Sequence, residues 1–141
     1  MRVSKALVIE TASKIADEQG LNSLSLKAVA EKLNVRTPSL YNHIESLDDL
    51  LREVAHKGMR SMNEQMAQAA IGKSGDTALK GVSVEYLNFI IEHPGVYETI
   101  QWATWHGTEE TAQIFGNYIK ILSTIISSYN FPSESTNEIL N

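Results

Sequence analysis

Apolar residues recur at helical spacing along almost the whole chain, and alternation of the strand type is absent. Val8, Ile9, Ala12, Ile15 and Ala16 lie on one helical face, and Gly20 follows as a stop signal. Ser25 is placed to cap a second helix that carries Val29, Ala30 and Leu33 inward, with Asn34 suited to a left-handed ending. Thr37-Pro38 predicts a cap followed by proline at the first helical position, opening a short third helix from Pro38 to about His43. Ser46-Leu47-Asp48-Asp49 opens a long fourth helix with acids in its first turn. Its apolar face, Leu47, Leu50, Leu51, Val54, Met59, Met62 and Met66, runs to about Ala70. Gly72–Gly75 reads as a linker, and a fifth helix follows over about 76–92, broken at His93-Pro94-Gly95. A sixth is expected over about 96–104, then a turn at Trp105-His106-Gly107. A seventh, capped by Thr108-Glu109-Glu110, runs to about Tyr129. Asn130-Phe131-Pro132 breaks it, and Ser133-Glu134 reads as the start of another helix. The expected fold class is all-α, with a three-helix N-terminal unit over 1–46 and a helical C-terminal unit over 47–141 joined through the long fourth helix.

The 141 residues and 43% hydrophobic content suffice for a real core. No run approaches the ~18 apolar residues of a membrane span, and the N-terminus lacks the apolar block of a secretory signal, so the expected location is cytoplasmic. Without cysteine there are no disulfides, thiol nucleophiles or cysteine-held metals. The net charge of −5 is unevenly spread. Residues 1–60 hold nine Lys/Arg against eight Asp/Glu, whereas residues 61–141 hold three against nine. Only the N-terminal part can approach a phosphate backbone without net repulsion.

The window Leu26 to His43 has the make-up of two helices crossing steeply over a short turn. Ala30 is the small residue at the crossing; Val29, Leu33, Val35 and Leu40 form the miniature core; Asn34 stands where the turn asks for positive φ. Arg36, Thr37, Ser39, Tyr41, Asn42 and His43 are left to face outward, a set of donors and acceptors that a DNA major groove could accommodate. An ordinary helical corner that binds protein uses the same apolar pattern, so a helical interaction module is the alternative.

The segment Val8–Leu51 resembles the TetR family of one-component repressors. The likeness rests on Val8-Ile9, Ala12, Gly20, Ala30 and Val35, then on Pro38-Ser39-Leu40-Tyr41-Asn42-His43-Ile44, Ser46 and Leu50-Leu51. It implies a helix-turn-helix that binds double-stranded DNA. Lys27, Arg36, Thr37, Pro38 and Asn42 match base-facing positions, with Pro38 offering apolar contact to a thymine methyl; Ser39, Tyr41 and His43 match phosphate-holding ones. Two positions depart from the pattern. Leu47 stands where the family often has a phosphate-binding lysine, and Leu26 where it often has a hydroxyl residue. Each removes a phosphate contact, which Lys5 and Arg2 are placed to replace.

The resemblance further implies a C-terminal ligand pocket, a homodimer on a palindromic operator, and repression relieved by a small-molecule effector. His93-Pro94-Gly95-Val96-Tyr97 and Trp105-His106-Gly107 resemble one C-terminal subtype of the family. Candidate pocket residues are Met59, Met62, Met66, Tyr86, Phe89, Tyr97, Trp102, Trp105, Phe115 and Tyr118, although apolar stripes at such spacing more often build core. His93 and His106 with Glu92, Glu109 and Glu110 lack metal-ligand spacing, so no metal or other cofactor is expected. No nucleophile-base or paired-carboxylate pattern is present, and an enzyme is not expected. The family's dimer uses two further long helices. The chain ends at the start of the first of these, so an incomplete C-terminal unit is expected.

Overall fold

The structure, a computed structural model, describes residues 2–129. Among them the elements are α1 (Lys5–Gln19), a 3-10 turn (Leu21–Ser23), α2 (Leu26–Leu33), α3 (Thr37–Leu40), α4 (Leu47–Ala70), α5 (Gly75–Glu92), α6 (Pro94–His106) and α7 (Glu109–Ser127). The helix expected from Ser133 lies outside the described residues.

Local chemistry accounts for most of the boundaries. The hydroxyls of Ser4, Ser25 and Ser46 accept the N–H groups of Leu7, Ala28 and Asp49 at 3.0–3.1 Å, satisfying first-turn donors of α1, α2 and α4. Asp49 in turn accepts the Glu45 N–H at 2.8 Å. Gly20 ends α1 at φ +90°, and Asn34 ends α2 in the left-handed region at φ +55°, ψ +44°. The Thr108 N–H donates to the Thr111 hydroxyl at 2.9 Å at the start of α7.

Three boundaries differ from expectation. The third helix is capped by Arg36 and closes after Leu40, not near His43. The N–H groups of Tyr41, Asn42 and His43 donate three residues back, to Pro38, Ser39 and Leu40 at 2.9–3.3 Å, a tightening that brings Ile44 into the core. The break before α6 is His93 alone, with Pro94 opening the helix, where its missing N–H leaves nothing unpaired. At the other end, Trp105 and His106 belong to α6. The His106 ring donates to the Trp102 carbonyl at 2.9 Å and stacks on the indole at 4.6 Å, contacts that accompany the helix's extension through His106.

One continuous apolar core runs from Val8 in α1 to Ile125 in α7, and α4 packs on α1, α5, α6 and α7. The N-terminal head (α1–α3) also leans directly on α6. Gly95 permits this, since a Cβ there would lie 1.7 Å from the Ala16 carbonyl oxygen. Gly58 plays the same part between α4 and α6: a Cβ would fall 2.4 Å from Val96 Cγ1. Among the described residues no helix is long and apolar enough to cross a membrane.

Candidate nucleic-acid interface and ligand cavities

The turn between α2 and α3 is held by backbone bonds from Asn34 N–H to Glu31 O (3.2 Å) and Val35 N–H to Ala30 O (3.0 Å). Val29, Ala30, Leu33 and Leu40 are buried and Val35 is half-buried, so the predicted miniature core is assembled. Within 36–43 only Leu40 is buried, at 0% exposure; Arg36, Pro38, Ser39, Tyr41 and Asn42 are exposed, Thr37 and His43 half-buried. Lys27 is exposed on α2. Tyr41 keeps 55% of its surface accessible. No side chain of these eight residues bonds to the rest of the described chain, which leaves a row of free donors and acceptors beside a buried anchor. Lys5, expected to replace a missing phosphate contact, is exposed and pairs with Glu53 at 3.5 Å where α1 and α4 run past each other.

The ten candidate pocket residues divide. Met59, Trp105 and Phe115 line one cavity of about 380 Å³ between α4, α6 and α7, together with the hydroxyls of Thr104, Thr108 and Thr111. Trp105 stands at its edge, 87% exposed. Phe89 lines a different cavity, of about 220 Å³, where α1, α4 and α6 meet. Met62 and Met66 are core. Tyr86, Tyr97 and Tyr118 cluster, with the Tyr86 and Tyr97 hydroxyls 2.7 Å apart and their rings edge to face. Burial, reinforced by that hydrogen bond, pushes the Tyr86 hydroxyl's pKa upward, and burial does the same for Tyr118. Trp102 lies under His106, with the Arg52 guanidinium 6.0 Å from its ring. These six line neither cavity.

The family model for bacterial regulatory proteins of the tetR family matches residues 8–54, the stretch that builds this turn and its anchor. The HTH-type transcriptional regulator YobS of Bacillus subtilis is 40% identical over 96 residues, covering 68% of this chain and 50% of its own length.

The chain belongs to the TetR family.

A second relative of this TetR-family chain, the HTH-type transcriptional regulator Rv0681 of Mycobacterium tuberculosis, is 29% identical over 135 residues, 94% of this chain and 62% of the relative. The chain thus spans about half to three-fifths of the length of these relatives. Among solved structures, BioQ with its double-stranded DNA operator superposes with a TM-score of 0.72 at 16% identity, covering 99% of this chain and 79% of that one. At that identity the likeness is one of fold. Both relatives are named as transcriptional regulators.

Two features of this TetR-family chain lie outside what the sequence reading anticipates. The first joins the head to α6. Asp17 on α1 accepts the Val96 N–H at 2.8 Å and pairs with His93 Nδ1 at 2.8 Å, so a head carboxylate occupies the first turn of a distant helix. The second is polar and lies inside α4. His56, 2% exposed, is 2.6 Å from the Thr111 hydroxyl, and Asn63, 8% exposed, donates to the Ile114 carbonyl at 3.1 Å. Outside them, Arg60 bonds Glu110 and holds its carboxyl below the usual range. Asn63 also faces a groove of about 550 Å³ between the C-terminal halves of α4 and α7. The signal, in retrospect, is a His and an Asn seven residues apart on an otherwise apolar stripe.

Burial keeps the His56 imidazole below its ordinary pKa of 6.5, against the opposing pull of Glu110. The unfolded chain therefore takes up a proton that the folded chain resists. The stabilisation from this group is complete above about pH 6.5 and declines as pH falls through the lower folded value. Urea midpoints should drop between pH 7.5 and 5.5, and the drop should shrink in His56→Gln. An undiminished drop in the variant would assign the effect to other groups.

Proposed function

We propose that this chain is a DNA-binding transcriptional regulator of the repressor type, acting as a homodimer on a palindromic operator and released by a small-molecule effector. The observation that carries the reading is the row of unengaged polar side chains at 36–43 pinned by the fully buried Leu40. Such a segment has nothing to satisfy inside its own fold and presents what a major groove requires. Arg36, Thr37, Pro38 and Asn42, with Lys27 from α2, meet base edges, while Ser39, Tyr41 and His43 donate to phosphate oxygens and fix the register. Two such helices, about 34 Å apart in a dimer, reach successive major grooves on one DNA face. The operator-bound BioQ structure, whose fold this chain shares, supports the docking.

The effector enters the cavity walled by Met59, Trp105 and Phe115, where sulfur and aromatic surfaces suit an apolar body and the Thr104 and Thr108 side chains add polar edges. Its contacts with α4, α6 and α7 bear on the helix that leads to the head. A coupling of about 1–3 kcal/mol is sufficient for release.

The test is a mobility shift on DNA from the promoter region of the chain's own gene. Tyr41→Phe combined with His43→Ala should weaken binding about tenfold or more on every sequence, because phosphate contacts carry no base preference. Asn42→Ala should instead narrow the gap between operator and scrambled DNA by about tenfold. Full affinity in the double variant would end the docking model. Light scattering at the concentrations of the shift assay tests the homodimer.

A further inference from the structure

The cavity of about 220 Å³ at the junction of head and C-terminal helices carries charge that the fold does not use. Its walls come from both sides: Ser13 and Lys14 from α1, Lys57 and Ser61 from α4, Phe89 from α5 and Val96 from α6. The floor is apolar, built of Phe89, Val96 and the bare backbone at Gly58. The rim is polar, and its charges pair off unevenly. Asp17 is committed to Val96 and His93. Glu10 is paired with Lys14 at 3.4 Å. Lys57 has no ion-pair partner among the described residues, and the Ser61 hydroxyl beside it makes no hydrogen bond there. One ammonium is left without an ion pair, next to a free hydroxyl, above an apolar floor.

We propose that this junction binds a small amphipathic monoanion, a carboxylate with a short apolar or aromatic body. The carboxylate meets Lys57 and Ser61, and the body lies on Phe89 and Val96. A dianion such as phosphate is disfavoured, since a single spare cation and a mainly apolar wall cannot compensate its desolvation. The site is separate from the Met59–Trp105–Phe115 cavity. Its regulatory consequence rests on the DNA-binding reading above: a ligand touching α1, α4 and α6 together fixes the head against the sensor, and any difference in that geometry between free and DNA-bound states couples the ligand to operator affinity.

Calorimetric titration of the chain with phenylacetate, and with its neutral isostere phenylacetamide, tests the site without DNA. Saturable binding of phenylacetate is expected, with the amide at least tenfold weaker. Lys57→Gln should weaken phenylacetate at least tenfold, and Lys57→Arg should largely restore it. Both replace an exposed residue, so the fold survives. Phe115→Ala, in the other cavity, should leave the affinity unchanged. No saturation up to about 10 mM phenylacetate, equal binding of the amide, indifference to Lys57→Gln, or loss in Phe115→Ala would each overturn the site. In the mobility shift, phenylacetate should change operator affinity severalfold in the parent and not in Lys57→Gln. An unchanged parent would overturn the coupling alone. Because the titration contains no DNA, failure of the regulator reading shows separately, as an absence of any shift.

Discussion

Replacing Gly95 by alanine is expected to lower the melting temperature by about 10 °C. The added Cβ would lie 1.7 Å from the Ala16 carbonyl oxygen, 2.0 Å from its carbon and 2.6 Å from the Asp17 nitrogen. All three are backbone atoms, so no side-chain rotation relieves the overlap, and α6 must back away from α1. Such overpacking costs about 3 kcal/mol in severe cases, and for a chain of this size each kcal/mol moves the midpoint by about 3–5 °C. The displacement also pulls the Val96 N–H from Asp17, so the head loses its hold on α6 in the same step. Gly116→Ala is the matched control. It lies in the interior of α7 with nothing within 4 Å of the added carbon. Relief of glycine's backbone entropy should there raise stability by up to about 1 kcal/mol. A Gly95→Ala protein melting within about 2 °C of the parent would contradict the close approach of α1 and α6.

Leu40→Ala should abolish DNA binding while leaving the long helices in place. Leu40 is the one fully buried side chain in the run 36–43, and α3 is only four residues long, far too short to persist without packing. Truncating a buried leucine costs about 2–5 kcal/mol, and the element that bears the loss is the one proposed to lie in the groove. Operator affinity should fall by about 100-fold or more, with far-UV circular dichroism nearly unchanged. Ser39→Ala, one residue away but exposed, should cost about tenfold at most, the value of one phosphate contact. DNA affinity within about threefold of the parent in Leu40→Ala would show that α3 is not the reading element.

The features legible in the sequence are those decided within a few residues. Ser25 with Ala28, Ser46 with Asp49, and Asn34 in its left-handed turn each answer a local demand for a donor, an acceptor or a dihedral angle. The same holds for the miniature core, where spacing alone places Val29, Leu33 and Leu40. The end of α3 escaped because helical and three-residue bonding are nearly equal in energy over one turn, and burial of Ile44 decides between them. The candidate interface was readable because outward polar residues are what remains once the apolar ones are assigned. The candidate pocket was not. Ten apolar and aromatic residues share one periodicity, and only tertiary packing separates Met59, Trp105 and Phe115 at a cavity from Met62 and Met66 in the core. Asp17 and His93 lie 76 residues apart, and no local pattern announces that they touch.

That last contact bears on the making of chimeras. The head supplies the carboxylate that closes the first turn of α6, while α6 supplies the glycine that lets the head approach. The seam between the head and the C-terminal helices is therefore not a cut through a linker but a lock with one half on each side. A head transplanted from a relative would arrive without its counterpart unless the residues at 17 and 93–96 travelled with it. On the proposed function, hybrids built by joining at α4 alone should bind DNA yet respond poorly to ligand, and moving those five positions as a set should restore the response.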